Sequence, residues 1–274
     1  MTASETAYPI RTLREHVAAL EAAMMICLAS PKPRAVHRLR TTTRRIEGQL
    51  ALLGMVPAIP MHDEQKTMKT RRNLKKMRRA AGGVRDLDVQ QDLIGSVEST
   101  SRSKSLQHDA AQLRAHIEEM RKEHAASLQT LLRRRAAELT GSLEELLDAL
   151  DPAESAALTP AEIATLARDW FQRNVPAAPT DSADNPDYLH AIRKTAKLAR
   201  YIAENAPKGA SVARELARSF EELQQAGGEW HDWLVLAALA DKRLGASSQL
   251  TTVFAQRCHL SLEAYKKLLS GAIA

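Results

Sequence analysis

The chain has 274 residues, a net charge of +6 from 39 Lys+Arg against 33 Asp+Glu, 44% hydrophobic residues and 4% aromatic residues. That length and apolar content suffice for a core built without metals or disulfides, and the richness in Ala, Leu, Arg and Glu favours helix over strand. An all-α fold is expected and a membrane-spanning one is excluded, since no run approaches the roughly 18 apolar residues of a span.

Helical periodicity separated by Pro and Gly predicts elements over about 9–29, 34–53, 61–81, 84–97 and 102–149. A second series runs over about 160–174, 187–205, 209–226, 228–244 and 247–271. The breaks fall at Pro31 and Pro33, Gly54 and Pro57, Gly82-Gly83, Asp151-Pro152, Pro176 and Pro179, Pro207, Gly227-Gly228 and Gly245. Thr159 followed by Pro160 and Glu162 reads as a capped helix start. The stretch 175–187, VPAAPTDSADNPD, reads as a loop. Cys27 and Cys258 lie far apart in apolar helical patterns without CxxC spacing, which reads as two reduced, buried thiols. With no basic and apolar leader at the N-terminus, the expectation is a soluble, cytoplasmic protein.

The two series share one order of motifs. His37-x-x-Arg40-x-x-x-Arg44 is followed by Gly82-x-x-Arg85-Asp86, and His190-x-x-Arg193-x-x-x-Lys197 by Gly228-x-x-His231-Asp232. The offset is 153 residues for the first pair of motifs and 146 for the second. An internal duplication is expected, with a single domain over 1–274 made of a first repeat at about 9–150 and a second at about 159–274. The repeats would form two pseudo-symmetric four-helix bundles.

Charge concentrates where the motifs are. Residues 34–79 carry 13 Lys/Arg against three acids, whereas 102–148 interleave eight acids with eight bases. Val36, Leu39, Thr43, Ile46, Leu50 and Leu53 form a core seam, and at about 100° per residue His37, Arg40 and Arg44 lie on its flank. Leu189, Ile192, Ala196, Ala199 and Ala203 make the matching seam, with His190, Arg193, Lys197 and Arg200 on the flank and Lys194 beside them. Like charges at this spacing repel, so an unbalanced stripe destabilises its own helix unless something anionic meets it. In 61–81, Lys69, Arg72, Lys76 and Arg79 share a side and extend the basic surface, while Arg71, Lys75 and Arg78 read as ordinary surface. Guanidinium forks and ammonium groups along such a groove suit phosphate oxygens.

Arg surrounds both motif histidines, which opposes a metal site even though two imidazoles from symmetric helices could meet. Asp86 and Asp232 are the carboxylates expected to hold the histidines or pair with motif arginines. Arg85-Asp86-Leu87-Asp88 has no accompanying nucleophile, so Arg85, Asp86 and Asp232 read as orienting groups and no catalytic residue is assigned. Trp230 and Trp233, three apart, read as core.

These motifs together resemble the conserved histidine α-helical domain, or CHAD, family. VHRLRTTTRR at 36–45, GGVRDLDV at 82–89, YLHAIRKTAKLARY at 188–201 and GGEWHDWLVL at 227–236 match its segments in order. The resemblance implies two four-helix bundles and a non-enzymatic module that binds inorganic polyphosphate, with other polyanions as secondary partners and possible residence on polyphosphate granules. It carries His37, Arg40, Arg44, Arg45, His190, Arg193, Lys197, Arg200 and Tyr201 onto the binding surface. Two positions depart from it: Glu47 stands where Arg often continues the first repeat, and Leu198 stands opposite Arg45, so the halves are unequal. No ExExK strand motif of the triphosphate-tunnel (CYTH) partner domain occurs, so the chain reads as a stand-alone member. No cofactor is implied. A nucleic-acid binder is the rival reading, opposed by the scarcity of aromatic residues, and a metal-dependent phosphohydrolase is the third.

Overall fold

The computed structural model describes residues 6–59, 64–179, 185–207 and 209–272. Among these residues eight helices follow one another: α1 (Pro9–Ala29), α2 (Pro33–Leu53), α3 (Glu64–Glu98), α4 (Lys104–Leu150), α5 (Pro160–Asn174), α6 (Pro186–Ala203), α7 (Ser211–Leu244) and α8 (Gln249–Ala272). A 3-10 turn, Asp151–Ala153, follows α4. Extended pairing is limited, among the described residues, to one bridge between Ala7 and Leu158, which ties the N-terminal segment to the connection between α4 and α5. The start of the expected 61–81 element lies partly outside the described residues, as does much of the expected 175–187 loop.

Helix starts follow local chemistry. Proline occupies the first turn of α1, α2, α5 and α6, where its missing N–H costs no hydrogen bond. Thr159 and Glu162 form a reciprocal capping box on α5. The Asn185 side chain accepts from the backbone N–H groups of Asp187 and Tyr188 and so caps α6, the helix that carries the second basic motif.

Two expected breaks are absent. Gly82-Gly83 lies inside α3 and Gly227-Gly228 inside α7. Each interior glycine costs about 1 kcal/mol relative to alanine, which is less than the packing on either side supplies. Ala81, Val84 and Leu87 are buried beside the first pair, and Trp230 and Trp233 beside the second. With these two breaks removed, each half contributes four helices.

Within the first half α1 packs on α2 and α4, and α3 on α2 and α4; within the second α6 packs on α5 and α7, and α7 on α8. Across the halves α2 meets α6, α3 meets α7 and α4 meets α8. The seams expected on α2 and α6 are all buried, Thr43 included. One large apolar cluster runs through both halves. A second joins Leu87, Ile94 and Leu106 to Trp233, Leu236 and Phe254 and so fastens α3 and α4 to α7 and α8. Cys27 is buried and Cys258 partly buried, and both are free thiols.

The α2–α6 crossing is close because Gly48 sits there. A Cβ at residue 48 would stand 2.6 Å from the Tyr201 Cβ and 3.0 Å from its backbone carbonyl carbon. Neither atom lies at the end of a flexible side chain, so the helices themselves would have to separate. Gly48→Ala is therefore expected to destabilise the protein by about 1–3 kcal/mol. Gly141→Ala, in α4 with nothing within 4 Å of the added carbon, is expected to stabilise it by about 0.5–1 kcal/mol. Urea unfolding of the two variants checks both signs.

Candidate anion-binding site

The α2–α6 crossing brings the two basic stripes face to face, and two adjoining cavities open on either side of them. The first, of about 670 Å³, lies between α2, α3, α5, α6 and α7. Among the described residues its cations are Arg40, Arg44, Lys75, Arg78, Arg79, Arg193, Lys194 and Lys197, and its one carboxylate is Asp86. Gly82, Gly83, His190, His231, Trp170 and Asn174 complete much of the lining. The second, of about 540 Å³, takes His37, Arg85, Arg200 and Tyr201 together with Glu221, Gln224, Gln225, Glu229 and Asp232 of α7. Arg40, Arg44, Asp86, Arg193 and Lys197 line both cavities and form the partition between them.

The partition is held by side chains already partly removed from water. Arg40 donates to Asp86 at 2.8 Å and so links α2 to α3. Arg44 donates to Glu47 at 3.3 Å, and Arg78 of α3 also pairs with Glu47. Glu47 thus neutralises part of the cluster from behind instead of adding to it as an arginine there would. The Arg44 Nε is buried without a hydrogen-bond partner among the described residues.

Burial and mutual repulsion lower the affinity of Arg44, Arg78, Arg193, Lys194 and Lys197 for their protons. Lys197 is pushed down to about 7, first by burial and then by Arg40, Arg44, Arg193 and Arg200. Burial, followed by neighbouring guanidinium groups, brings Arg44 and Arg78 each to about 10. Arg193 and Lys194 are also lowered, burial being the largest cause for both. Crowded, half-desolvated cations of this kind are stabilised by an anion that satisfies several of them at once.

No hydrogen bond joins His37 or His190 to Asp86 or Asp232 among the described residues, and the two histidines line different cavities. His190 instead packs against His231, ring centroids 4.4 Å apart, and its Nδ1 is buried without a partner. Burial pushes His231 down to about 4, assisted by Arg193. His37 is lowered by burial and then by Arg85. Burial, followed by Lys194, lowers His190 as well, so burial is the largest cause at all three rings, and each ring nitrogen can take part in one hydrogen bond. Among the described residues no group of three or more His, Cys, Asp or Glu is arranged to hold a metal ion.

Asp86 accepts from Arg40, while Asp232 lies in the electrostatic field of Arg193 and is pushed up by its own burial. Asp88 belongs elsewhere: it is buried and accepts from Arg121 Nε of α4 at 2.5 Å. Tyr265 of α8 steadies the start of the second motif. Its hydroxyl donates to the Leu189 carbonyl at 3.0 Å, and its ring occupies the space that Gly227 leaves open.

Of the residues expected in the site, His37, Arg40, Arg44, Arg79, His190, Arg193, Lys194, Lys197, Arg200 and Tyr201 line the paired cavities, with Arg85, Asp86 and Asp232. Arg45 is exposed and lines neither. Lys69, Arg72 and Lys76 face a separate cleft of about 590 Å³ against Arg135 and Glu138 of α4. Tyr201 is almost wholly buried, with Arg200 over its ring at 5.6 Å, and serves mainly as packing. Arg200 donates to Glu204 at 2.6 Å and approaches Glu221 at 2.9 Å, so two carboxylates already occupy it.

Lys75 and Arg78, read from sequence as surface, belong to the first cavity instead. The signal was present. Lys75, Arg78, Arg79, Gly82 and Asp86 fall at i, i+3, i+4, i+7 and i+11, one face of a helix that continues through the glycine pair. Splitting that helix at Gly82-Gly83 hides the stripe.

The fold and cleft define an all-helical protein with a partly exposed cationic cleft lined from both of its halves. A family model for the CHAD domain matches residues 11–241, and the chain belongs to the CHAD family, which is linked in general to polyphosphate binding. Among solved structures it is similar to the CHAD domain from the plant Ricinus communis, at 15% identity and a TM-score of 0.62 over 97% of this chain and 93% of that one. It is also similar to PptA from Streptomyces chartreusis, at 18% identity and a TM-score of 0.54 over 97% of both chains. No curated protein gives a significant sequence match. Among the described residues no helix is long and apolar enough to cross a membrane.

Proposed function

We propose that this protein is a non-enzymatic binder of inorganic polyphosphate, gripping the chain across the cleft where α2 and α6 meet. The observation that carries the reading is the first cavity, in which, among the described residues, eight cations face one carboxylate on helices from both halves. Rigid helices hold the backbone beneath these groups in place, so the ordering cost of binding falls on the side chains. Arg40, Arg44, Arg193 and Lys197 are the central grips, Lys75, Arg78, Arg79 and Lys194 widen them, and His190 and His231 supply neutral hydrogen bonds. Lys69, Arg72 and Lys76 are outlying basic residues that a long chain could reach. The meeting of α2 with α6, α3 with α7 and α4 with α8 supports a pseudo-twofold duplication. We further infer a cytoplasmic protein that associates with polyphosphate granules.

Affinity arises largely from counterion release, as for single-stranded nucleic acid. If about eight cations are neutralised, binding is expected to weaken about a thousandfold between roughly 50 and 200 mM salt. Calorimetric titration with long-chain polyphosphate across that range tests the reading, and binding that ignores salt would overturn it. Duplex DNA or RNA added at equal phosphate concentration is expected not to displace the chain; displacement would favour a nucleic-acid ligand. Chain length should be unchanged after incubation with Mg²⁺ or Mn²⁺, and shortening would mark a hydrolase.

A further inference from the structure

The two cavities are built from equivalent segments and yet differ in charge. Shifting α3 by 146 positions, the shift that carries Gly82, Arg85 and Asp86 onto Gly228, His231 and Asp232, carries Lys75, Arg78 and Arg79 onto Glu221, Gln224 and Gln225. Those α7 residues line the second cavity as their α3 counterparts line the first. One half therefore presents three cations where the other presents a carboxylate and two amides.

The residues that each cavity owns alone sharpen the contrast. Outside the shared partition, the first cavity has, among the described residues, Lys75, Arg78, Arg79 and Lys194 and no carboxylate. Among the described residues Lys75, Arg79 and Lys194 have no carboxylate within ion-pair distance, and only Arg78 is paired, with Glu47. The second cavity has Arg85 and Arg200 against Glu221, Glu229 and Asp232. Arg200 is occupied by Glu204 and Glu221, which leaves Arg85 facing two further carboxylates.

A phosphate chain carries a negative charge on every unit, so its passage into the second cavity would set unit after unit against fixed carboxylates in a partly desolvated space. Like charges placed so cost more than they do in open water. Entry from the α3 side and arrest at the partition avoids that cost. We propose, resting on the polyphosphate reading above, that the cleft is one-ended. It takes the terminal segment of a linear phosphate chain, and Glu221 and Glu229 act as a stop that prevents threading.

The test compares two ligands of one length: linear polyphosphate with free termini, and the same chain with both termini blocked by bulky phosphoramidates. Wild-type protein is expected to bind the free-ended chain at least about tenfold more tightly. In the Glu221→Gln, Glu229→Gln double variant, which keeps side-chain size, the preference is expected to disappear because the blocked chain gains affinity. Equal binding of both ligands by the wild type would overturn the one-ended cleft while leaving polyphosphate binding in place. A preference that persists in the double variant would overturn the assignment of these carboxylates as the stop. Failure of either ligand to bind the wild type would overturn the polyphosphate reading itself.

Discussion

Replacing Arg40 and Arg193 together by alanine is expected to weaken polyphosphate binding by at least about a hundredfold at constant salt. Both side chains line both cavities, so no path along the cleft avoids them. A hydrogen bond to a charged group contributes about 1.5–3 kcal/mol, and two such losses give the stated factor even when they are not fully additive. The salt dependence should become shallower as well, because fewer counterions are released. The helices should survive the change. Asp86, left without Arg40, is mostly exposed at 58% of its side chain and can be hydrated, while removal of Arg193 relieves its repulsion with Arg40 and leaves the buried Asp232, already pushed up by burial, to take up a proton. Titration at two salt concentrations, with circular dichroism of the free variant, checks both parts.

Lys197→Met is expected to move binding and stability in opposite directions. Methionine keeps the length and apolar stem of lysine but removes an ammonium held among Arg40, Arg44, Arg193 and Arg200. Stability should rise by about 1–3 kcal/mol at neutral pH, as is common when a binding group under strain is removed, and affinity should fall by about tenfold or more.

The pH dependence follows from the same residue. Folded Lys197 titrates near 7 against an ordinary 10.5, so between those values the unfolded chain holds more protons than the folded one. Stability of the free protein therefore rises with pH across that window. A bound polyanion restores the proton, so binding takes up protons above pH 7 and weakens as pH climbs further. Both slopes should flatten in Lys197→Met. Calorimetry in buffers of different ionisation enthalpy measures the proton uptake, and thermal melts from pH 7 to about 10 measure the stability.

Which features were legible in the sequence depended on whether they are local or tertiary. The helix start at Thr159-Pro160 depends on a few neighbouring atoms, and the seams on α2 and α6 depend only on helical phase; both were readable, whereas Asn185 and Pro186, which cap and open α6, read in sequence as part of the loop at 175–187. The continuity of α3 and α7 was not, because the glycine pairs favour a break locally and only packing against neighbouring helices overrides it. That misreading spread into the site: Lys75 and Arg78 went to the surface, and Lys69, Arg72 and Lys76 were joined to Arg79 although they face α4. The pairing of His190 with His231 was also hidden, since it depends on how α6 meets α7 and not on either motif alone. So was the occupation of Arg200 by Glu204 and Glu221, which mixes a neighbour one turn away with a partner on another helix.

Gly48 has a bearing on selectivity as well as on folding. The gap between the arginine rows of α2 and α6 is set by backbone resting against the Tyr201 side chain, and the repelling charges do not decide it. The missing methyl group works as the gauge of the jaw. A side chain placed there would act as a shim, widening the jaw by a few tenths of an ångström or more without touching any cation. The caliber of anion that the protein accepts is thus adjustable from a position that never meets the ligand.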